Sequence, residues 1–427
     1  MLNPSVRRQI IKLIKREVVP ALGCTEPIAV ALAVTKAREI LGALPDKIEL
    51  GLSGNIIKNA MGVGIPGTGM IGLPIAVALG ALIGRSELEL EVLRDVSEES
   101  VAAGKAYIDE DRIEILLDEN APSNLYVDAK VFKDGHTARA IISREHTKFI
   151  YLEKDDEVLY QEAEQQGDEE EGDDDIKLDM KTVYEFAIES PLDEIAFILQ
   201  ARDLNKRAAE LALSGDYGHS LGAMIKNRGA RYFGDTTVAH MIAYTSAACD
   251  ARMGGATIAV MSNSGSGNQG ITATLPVVSY AEDCDASEEQ LIRALTLSHL
   301  TSIYIKQNLG RLSALCGCVV ASTGASSGIT WLMGGKFPEV CAAIKNMIAN
   351  LAGMLCDGAK PACSLKISSG VSTAMMSALL AMNEHCVSEM EGIVSDDIDQ
   401  TIRNLTSIGK ESMMETDKQV LQIMICK

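Results

Sequence analysis

The chain has 427 residues, 47% apolar and 23% charged, enough to bury a large core and unlike a disordered chain. A net charge of −20 argues against nucleic acid or an anionic membrane surface as partner, and favours a small molecule held in a local pocket. Aromatic residues are only 4%, so the core should rely on small side chains and close helix contacts.

In chain order, Asn3-Pro4 opens a helix reaching about Val18, with Val6, Ile10, Ile11 and Ile14 on one side. Lys12, Lys15, Arg16 and Glu17 interrupt any signal-peptide core, so this segment reads as an amphipathic helix and the protein as cytoplasmic. Pro20 and Gly23 end it, and Thr25 is placed to cap a second helix. Residues 1–45 are thus expected to be N-terminal helices packing on the C-terminal domain. Residues 46–160 hold strand-like runs, among them "KIELGLSG", "RIEILLD", "NLYVDAKVF", "TARAIIS" and "KFIYLEK", with helical segments near 68–83 and 90–107. Residues 161–181 are expected to be an acidic linker or loop. From 182 to 427 helical periods dominate. The fold class expected is α+β, with a mostly antiparallel sheet and a large helical domain carrying the cysteines. The windows 59–84, 258–280 and 312–335 carry no charge, but each is broken by Gly, Ser, Thr or Pro, which suits buried structure around a pocket better than a membrane span.

Ten cysteines in a chain read as cytoplasmic should be reduced thiols. Cys249, Cys284, Cys341 and Cys386 read as small core residues. The stretch "GMLCDGAKPACSLK" (353–366) reads as a loop between helices, because neither Asp-Gly nor Lys-Pro suits a helix interior. Cys356 follows one helix, Cys363 precedes Ser364, a cap for the next, and Cys316 falls near the end of a helical stretch. Three thiols at helix ends can converge, and such a set suits zinc or an iron–sulfur centre. Their spacing fits no zinc ribbon, and spacing alone leaves buried structural cysteines an equal alternative. Cys24, in "ALGCTEP", lies at a helix start, where the N-terminal field favours thiolate and hence a base, nucleophile or ligand.

Two Gly-rich loops, "SGNIIKNAMGVGIPGTGM" (53–70) and "SNSGSGNQGI" (262–271), offer backbone nests for a carboxylate or phosphate. Neither matches a nucleotide-binding pattern. Asn55, Lys58 and Asn59 from the first, and Ser264, Ser266, Asn268 and Gln269 from the second, could hold a small zwitterion. Lys58 could equally be a surface lysine, and His219 in "GDYGHS" a turn residue.

Together "ALGCTEPIAVALA" (21–33), "SGNIIKNAMGVGIPGTG" (53–69), "GSGNQGI" (265–271) and "GMLCDGAKPAC" (353–363) resemble the iron–sulfur L-cysteine desulfidases, within the serine dehydratase α-chain family. The resemblance runs over nearly the whole chain. It implies a [4Fe–4S] cluster on Cys316, Cys356 and Cys363, no pyridoxal phosphate, and β-elimination of L-cysteine to pyruvate, ammonia and hydrogen sulfide. It also implies a catalytic part for Cys24. Cys318 competes with Cys316 within "CGC", and Cys426 near the C-terminus is a further thiol with reach. The absence of an "SSSHT" loop and the short interval from Cys356 to Cys363 depart from the serine dehydratase pattern and favour cysteine over serine. L-Serine dehydration, or a zinc-bearing or apo amino-acid-binding protein, is the alternative. A homo-oligomer is left open.

Overall fold

The computed structural model describes residues 2–162, 176–310 and 313–426. Asn3 caps helix α1 (Pro4–Glu17) by accepting from the Ser5 amide, and Pro4 sits where a missing N–H leaves no bond unmade. A short strand β1 (Pro20–Leu22) leads to α2 (Thr25–Leu41), which ends at Gly42 in the left-handed conformation. Then follow β2 (Lys47–Leu52), α3 (Gly54–Ala60), the two-residue strands β3 (Gly64–Ile65) and β4 (Met70–Ile71), α4 (Leu73–Leu82) and α5 (Glu98–Asp109). Strands β5 (Ile113–Leu117), β6 (Tyr126–Lys133), β7 (His136–Ser143), β8 (Phe149–Lys154) and β9 (Glu157–Gln161) complete this half.

The main sheet runs β5-β2-β6-β7-β8-β9, and only the β2–β5 pair is parallel. A parallel pair needs a crossover, and α3, α4 and α5 supply it. Helix α2 packs on β6 and β7, with α4 on its other side. Residues 27–35 of α2 are therefore all buried, and Gly80 of α4 lies so near the α2 backbone that a Cβ there would meet the Ala31 carbonyl oxygen at 2.7 Å. The expectation that both N-terminal helices pack on the C-terminal half is corrected for α2, whose two apolar faces are covered by the sheet and α4. Helix α1 does contact the C-terminal half, through a bidentate Arg7–Glu194 pair.

The C-terminal half comprises α6 (Met180–Glu189), α7 (Leu192–Ile195), α8 (Leu199–Leu213), α9 (Leu221–Arg228), α10 (Ala230–Phe233) and α11 (Thr237–Met253). After strand β10 (Ala259–Met261) come α12 (Gly267–Asp283), α13 (Glu288–Leu309), α14 (Gly317–Leu332), α15 (Phe337–Leu351) and α16 (Cys363–Met382). Helices α17 (Ile398–Ser407) and α18 (Met414–Ile425) close the chain. Helix α14 is central, touching α12, α13, α15 and α16. This accounts for the charge-free window 312–335: Gly324 and Gly328 bring α14 against α13, where added Cβ atoms would lie 2.3 and 2.7 Å from the Ser298 and Ala294 carbonyl oxygens. The whole is an α+β fold. Residues 163–175 of the acidic segment lie outside the described residues, and the segment's last two residues, Met180 and Lys181, already belong to α6.

Among the described residues, α16 alone has the length and apolarity of a membrane span; half of its apolar window is buried, and it packs on α11, α14 and α15. Two of the contacts that join the halves shape the site. Strand β1 pairs antiparallel with β10, delivering Cys24 beside the 262–266 turn. Helix α18 packs on α3, with Leu421 where a side chain on Gly54 would otherwise be.

Candidate functional site

All eleven side chains singled out in the sequence line one cavity of about 130 Å³ between the halves. Helix α3 explains part of this. Asn55, Lys58 and Asn59 follow an i, i+3, i+4 pattern, so one helical face carries all three; the expected Gly-rich loop is helical over Gly54–Ala60. Lys58 is only 2% exposed and forms an ion pair with Asp417 of α18, which removes the surface-lysine reading. Asn55 Oδ1 is buried without a hydrogen-bond partner.

Cys24 is itself the N-cap residue of α2, where Thr25 had been expected; Thr25 is the first helical residue and its hydroxyl donates to Glu26 at 3.2 Å. Gly23 adopts a positive φ of 66°, and a Cβ there would meet Pro66 at 2.8 Å, so this turn closes against the first Gly-rich segment. The Cys24 thiol donates to Glu26 Oε2 at 2.9 Å. Burial, and then the Glu26 carboxylate, push the thiol well above its ordinary range. The helix-end argument for a thiolate therefore fails at this position: desolvation and a facing carboxylate outweigh the helix N-terminus, and Cys24 is a protonated thiol.

The second Gly-rich segment is a turn followed by a helix start. Ser264 and Gly265 have φ values of 48° and 78°. Ser266 caps α12 by accepting from the Gln269 amide, so Asn268 and Gln269 lie in its first turn. Behind the turn, Asn263 donates to Nδ1 (3.1 Å) and the carbonyl oxygen (3.2 Å) of buried His299, whose Nε2 is 3.0 Å from the Thr274 hydroxyl. Burial lowers His299 to about 3, so it is a neutral pin for the turn. Ser264 bonds back to Asn263 Oδ1, and its amide donates to the Glu17 carbonyl.

The thiol wall comes from three segments. A single antiparallel bridge, Leu315 with Leu355, is flanked by bonds from the Cys316 amide to the Met354 carbonyl (3.0 Å) and from the Cys356 amide to the Ala314 carbonyl (2.7 Å). This brings the two thiols into hydrogen-bonding contact. Cys316 is the N-cap residue of α14, at a helix start and not at the helix end expected, because the chain breaks at Gly310 after α13. Cys363 is the first residue of α16, whose cap position is Ala362; Ser364, expected as the cap, turns its hydroxyl to the Pro361 carbonyl. Gly358, at φ 89°, presses against α3 so closely that a Cβ would sit 2.1 Å from the Lys58 carbonyl oxygen. The hydrogen bond from Cys316, aided by nearby Lys58 and Lys366, lowers the Cys356 thiol against the effect of burial. Cys318 also lines the cavity, but its thiol donates to the Lys366 carbonyl at 3.2 Å and packs against Gly370.

Other expectations fall outside the cavity. Cys249 is buried and Cys341 half-buried, but Cys284 and Cys386 are exposed and so are not core residues; each follows the last turn of a helix. Cys426 is exposed at the end of α18, and neither it nor His219 lines the cavity. The residues that motif reading missed are Glu26, Arg252, Lys306 and Lys366. A buried arginine in the apolar "AACDARMGG" end of α11 was the one available signal, since such a charge requires a partner.

The serine dehydratase alpha chain family model matches residues 87–422. The chain belongs to the serine dehydratase alpha-chain family. That match spans the thiol wall and the 262–271 turn, while Cys24 and the α3 residues precede it. Relatives cover them. A UPF0597 protein of Bacteroides fragilis is 61% identical over 427 residues, the whole of both chains. One from Oleidesulfovibrio alaskensis is 47% identical over the whole of both, and one from Aeromonas hydrophila is 44% identical over 98% of this chain and 96% of its own. Membership supports a dehydratase-like, lyase-type activity on a small molecule.

Proposed function

We propose that this protein is an iron–sulfur lyase that eliminates the β-substituent of L-cysteine, giving pyruvate, ammonia and hydrogen sulfide. The observation that carries this reading is the convergence of Cys316, Cys356 and Cys363 in the lining of a cavity that also holds the Cys24–Glu26 pair. The donor set fits the group. Three soft thiols come from separate segments, and Lys58 and Lys366 stand ready to offset thiolate charge. Among the described residues no three Cys, His, Asp or Glu side chains are gathered as a single ion would need. A cluster, whose thiolates bind different irons, takes its ligands from a wider circle.

Cys316, Cys356 and Cys363 would hold such a cluster, and it would supply Lewis acidity for the leaving sulfur. The remaining work falls to the protein. Glu26 Oε2 accepts the α-proton as the Cα–H electron pair forms the Cα=Cβ bond and the Cβ–S bond breaks, releasing sulfide. Cys24, protonated, fixes that carboxylate through its 2.9 Å hydrogen bond. The aminoacrylate product becomes an imine, and water hydrolyses it to pyruvate and ammonia. The rigid turn at 263–266 and the α3 face hold the amino acid.

The family description also favours L-serine, which eliminates water by the same proton transfer. Protein reconstituted with iron and sulfide under anaerobic conditions should release pyruvate and hydrogen sulfide from L-cysteine faster than pyruvate from L-serine. Faster turnover of serine would replace the substrate, and a colourless zinc protein inert towards both would refute the reading.

A further inference from the structure

Two of the cavity's lysines already have a counter-ion: buried Lys58 has Asp417, and half-buried Lys366 has Asp357. Arg252 differs. Its side chain comes from the last turn of α11 and is 4% exposed, yet among the described residues no carboxylate pairs with it. Its Nη1 donates to Asn268 Oδ1 at 3.1 Å, and its Nε is buried without a partner. A guanidinium out of water and facing only a neutral amide is costly unless an anion completes it. The surrounding chain is shaped to keep it there. A Cβ on Gly267 would fall 2.3 Å from Arg252 Nε, so glycine here lets the start of α12 lie over the guanidinium without displacing it. The next residue but one, Gln269, is also 4% exposed and its Oε1 lacks a partner. Gly317, between the two cysteines of "CGC", lets that side chain rest against the thiol wall, at 2.9 Å from a would-be Cβ.

We infer that Arg252 binds the α-carboxylate of an amino-acid ligand and Gln269 Oε1 accepts from its ammonium group, which fixes the ligand with its β-carbon free to face the thiols. A planar guanidinium matches a carboxylate through paired hydrogen bonds, which an ammonium side chain cannot reproduce. The inference rests on the cavity being the amino-acid site proposed above.

The test uses L-alanine, which has no β leaving group, and calorimetric titration of the full chain under anaerobic conditions. Wild-type protein should bind L-alanine and bind L-alaninamide, which lacks the anionic carboxylate, on the order of 10- to 100-fold more weakly. Arg252→Met should erase that preference, and Arg252→Lys should restore only part of it. Equal wild-type affinity for alanine and its amide, no wild-type binding of alanine, or unchanged preference in a folded Arg252→Met protein would each overturn the assignment. Alanine binding without sulfide release from cysteine would fault the reaction proposed above and leave Arg252 in place.

Discussion

Cys24 and Cys356 line the same cavity, yet their thiols are pushed in opposite directions. Cys24 stands at a helix N-terminus, where a thiolate is ordinarily favoured, but full burial and the Glu26 carboxylate hold it protonated. Cys356 lies in an irregular segment with no helix behind it, and is lowered by the neighbouring Cys316 thiol, Lys58 and Lys366. With both thiols buried, the groups that face each sulfur decide its state here, a carboxylate at Cys24 and a donating thiol with two lysines at Cys356, and proximity to a helix end does not. On the function proposed above, the cavity divides by chemistry into two walls: one gathers thiols near lysines and would suit a soft metal centre, and the other would hold protons and the substrate's charged ends.

Breaking the thiol wall should have the largest effect. Cys363→Ser should lose most of its iron and at least about 100-fold in turnover, since an alkoxide replaces a thiolate poorly. Cys386→Ser, at an exposed position away from the cavity, should keep both; iron and sulfide analysis with the anaerobic assay checks this. On the other wall, Glu26→Gln should keep its iron but lose on the order of 10²- to 10⁴-fold in kcat, the usual scale for removing a proton acceptor. A wild-type kcat would remove Glu26 from the reaction.

The difference in thiol state is itself measurable. In cluster-free protein at pH 7, iodoacetamide should label Cys356 well before Cys24, as read by peptide mass spectrometry. Lys58→Met should shift the pH midpoint of the Cys356 reaction upward by roughly one unit, which at pH 7 slows labelling only about twofold. The smallest effect is on stability. Because the folded state raises the Cys24 pKa, native and unfolded chains hold the same proton below the thiol's ordinary value of 9.0. Above it the unfolded chain ionises first, and stability falls as pH rises. The melting temperature of cluster-free wild type should drop more steeply than that of Cys24→Ala between pH 9 and 10.5.

Much of the fold was legible because it is local. Alternation marked β2, β5, β6, β7 and β8, and Asn3-Pro4 marked α1. Strand β9 was missed because its residues are all exposed and show no alternation of burial, and β1 and β10 because three residues carry no period. The candidate site was legible as motifs, but its electrostatics were not. Arg252 meets Asn268, 16 residues further on, only in the folded chain, and the protonation of Cys24 depends on burial that a helix-cap argument does not contain. Lys58 has its counter-ion 359 residues away, in a helix no motif marked.

The most direct measurement is the iron content of Cys356→Ser and Cys24→Ala proteins reconstituted side by side without oxygen. The two-wall account predicts about four irons per chain in Cys24→Ala and a near-empty site in Cys356→Ser. Equal retention or equal loss of iron in the two variants would contradict it.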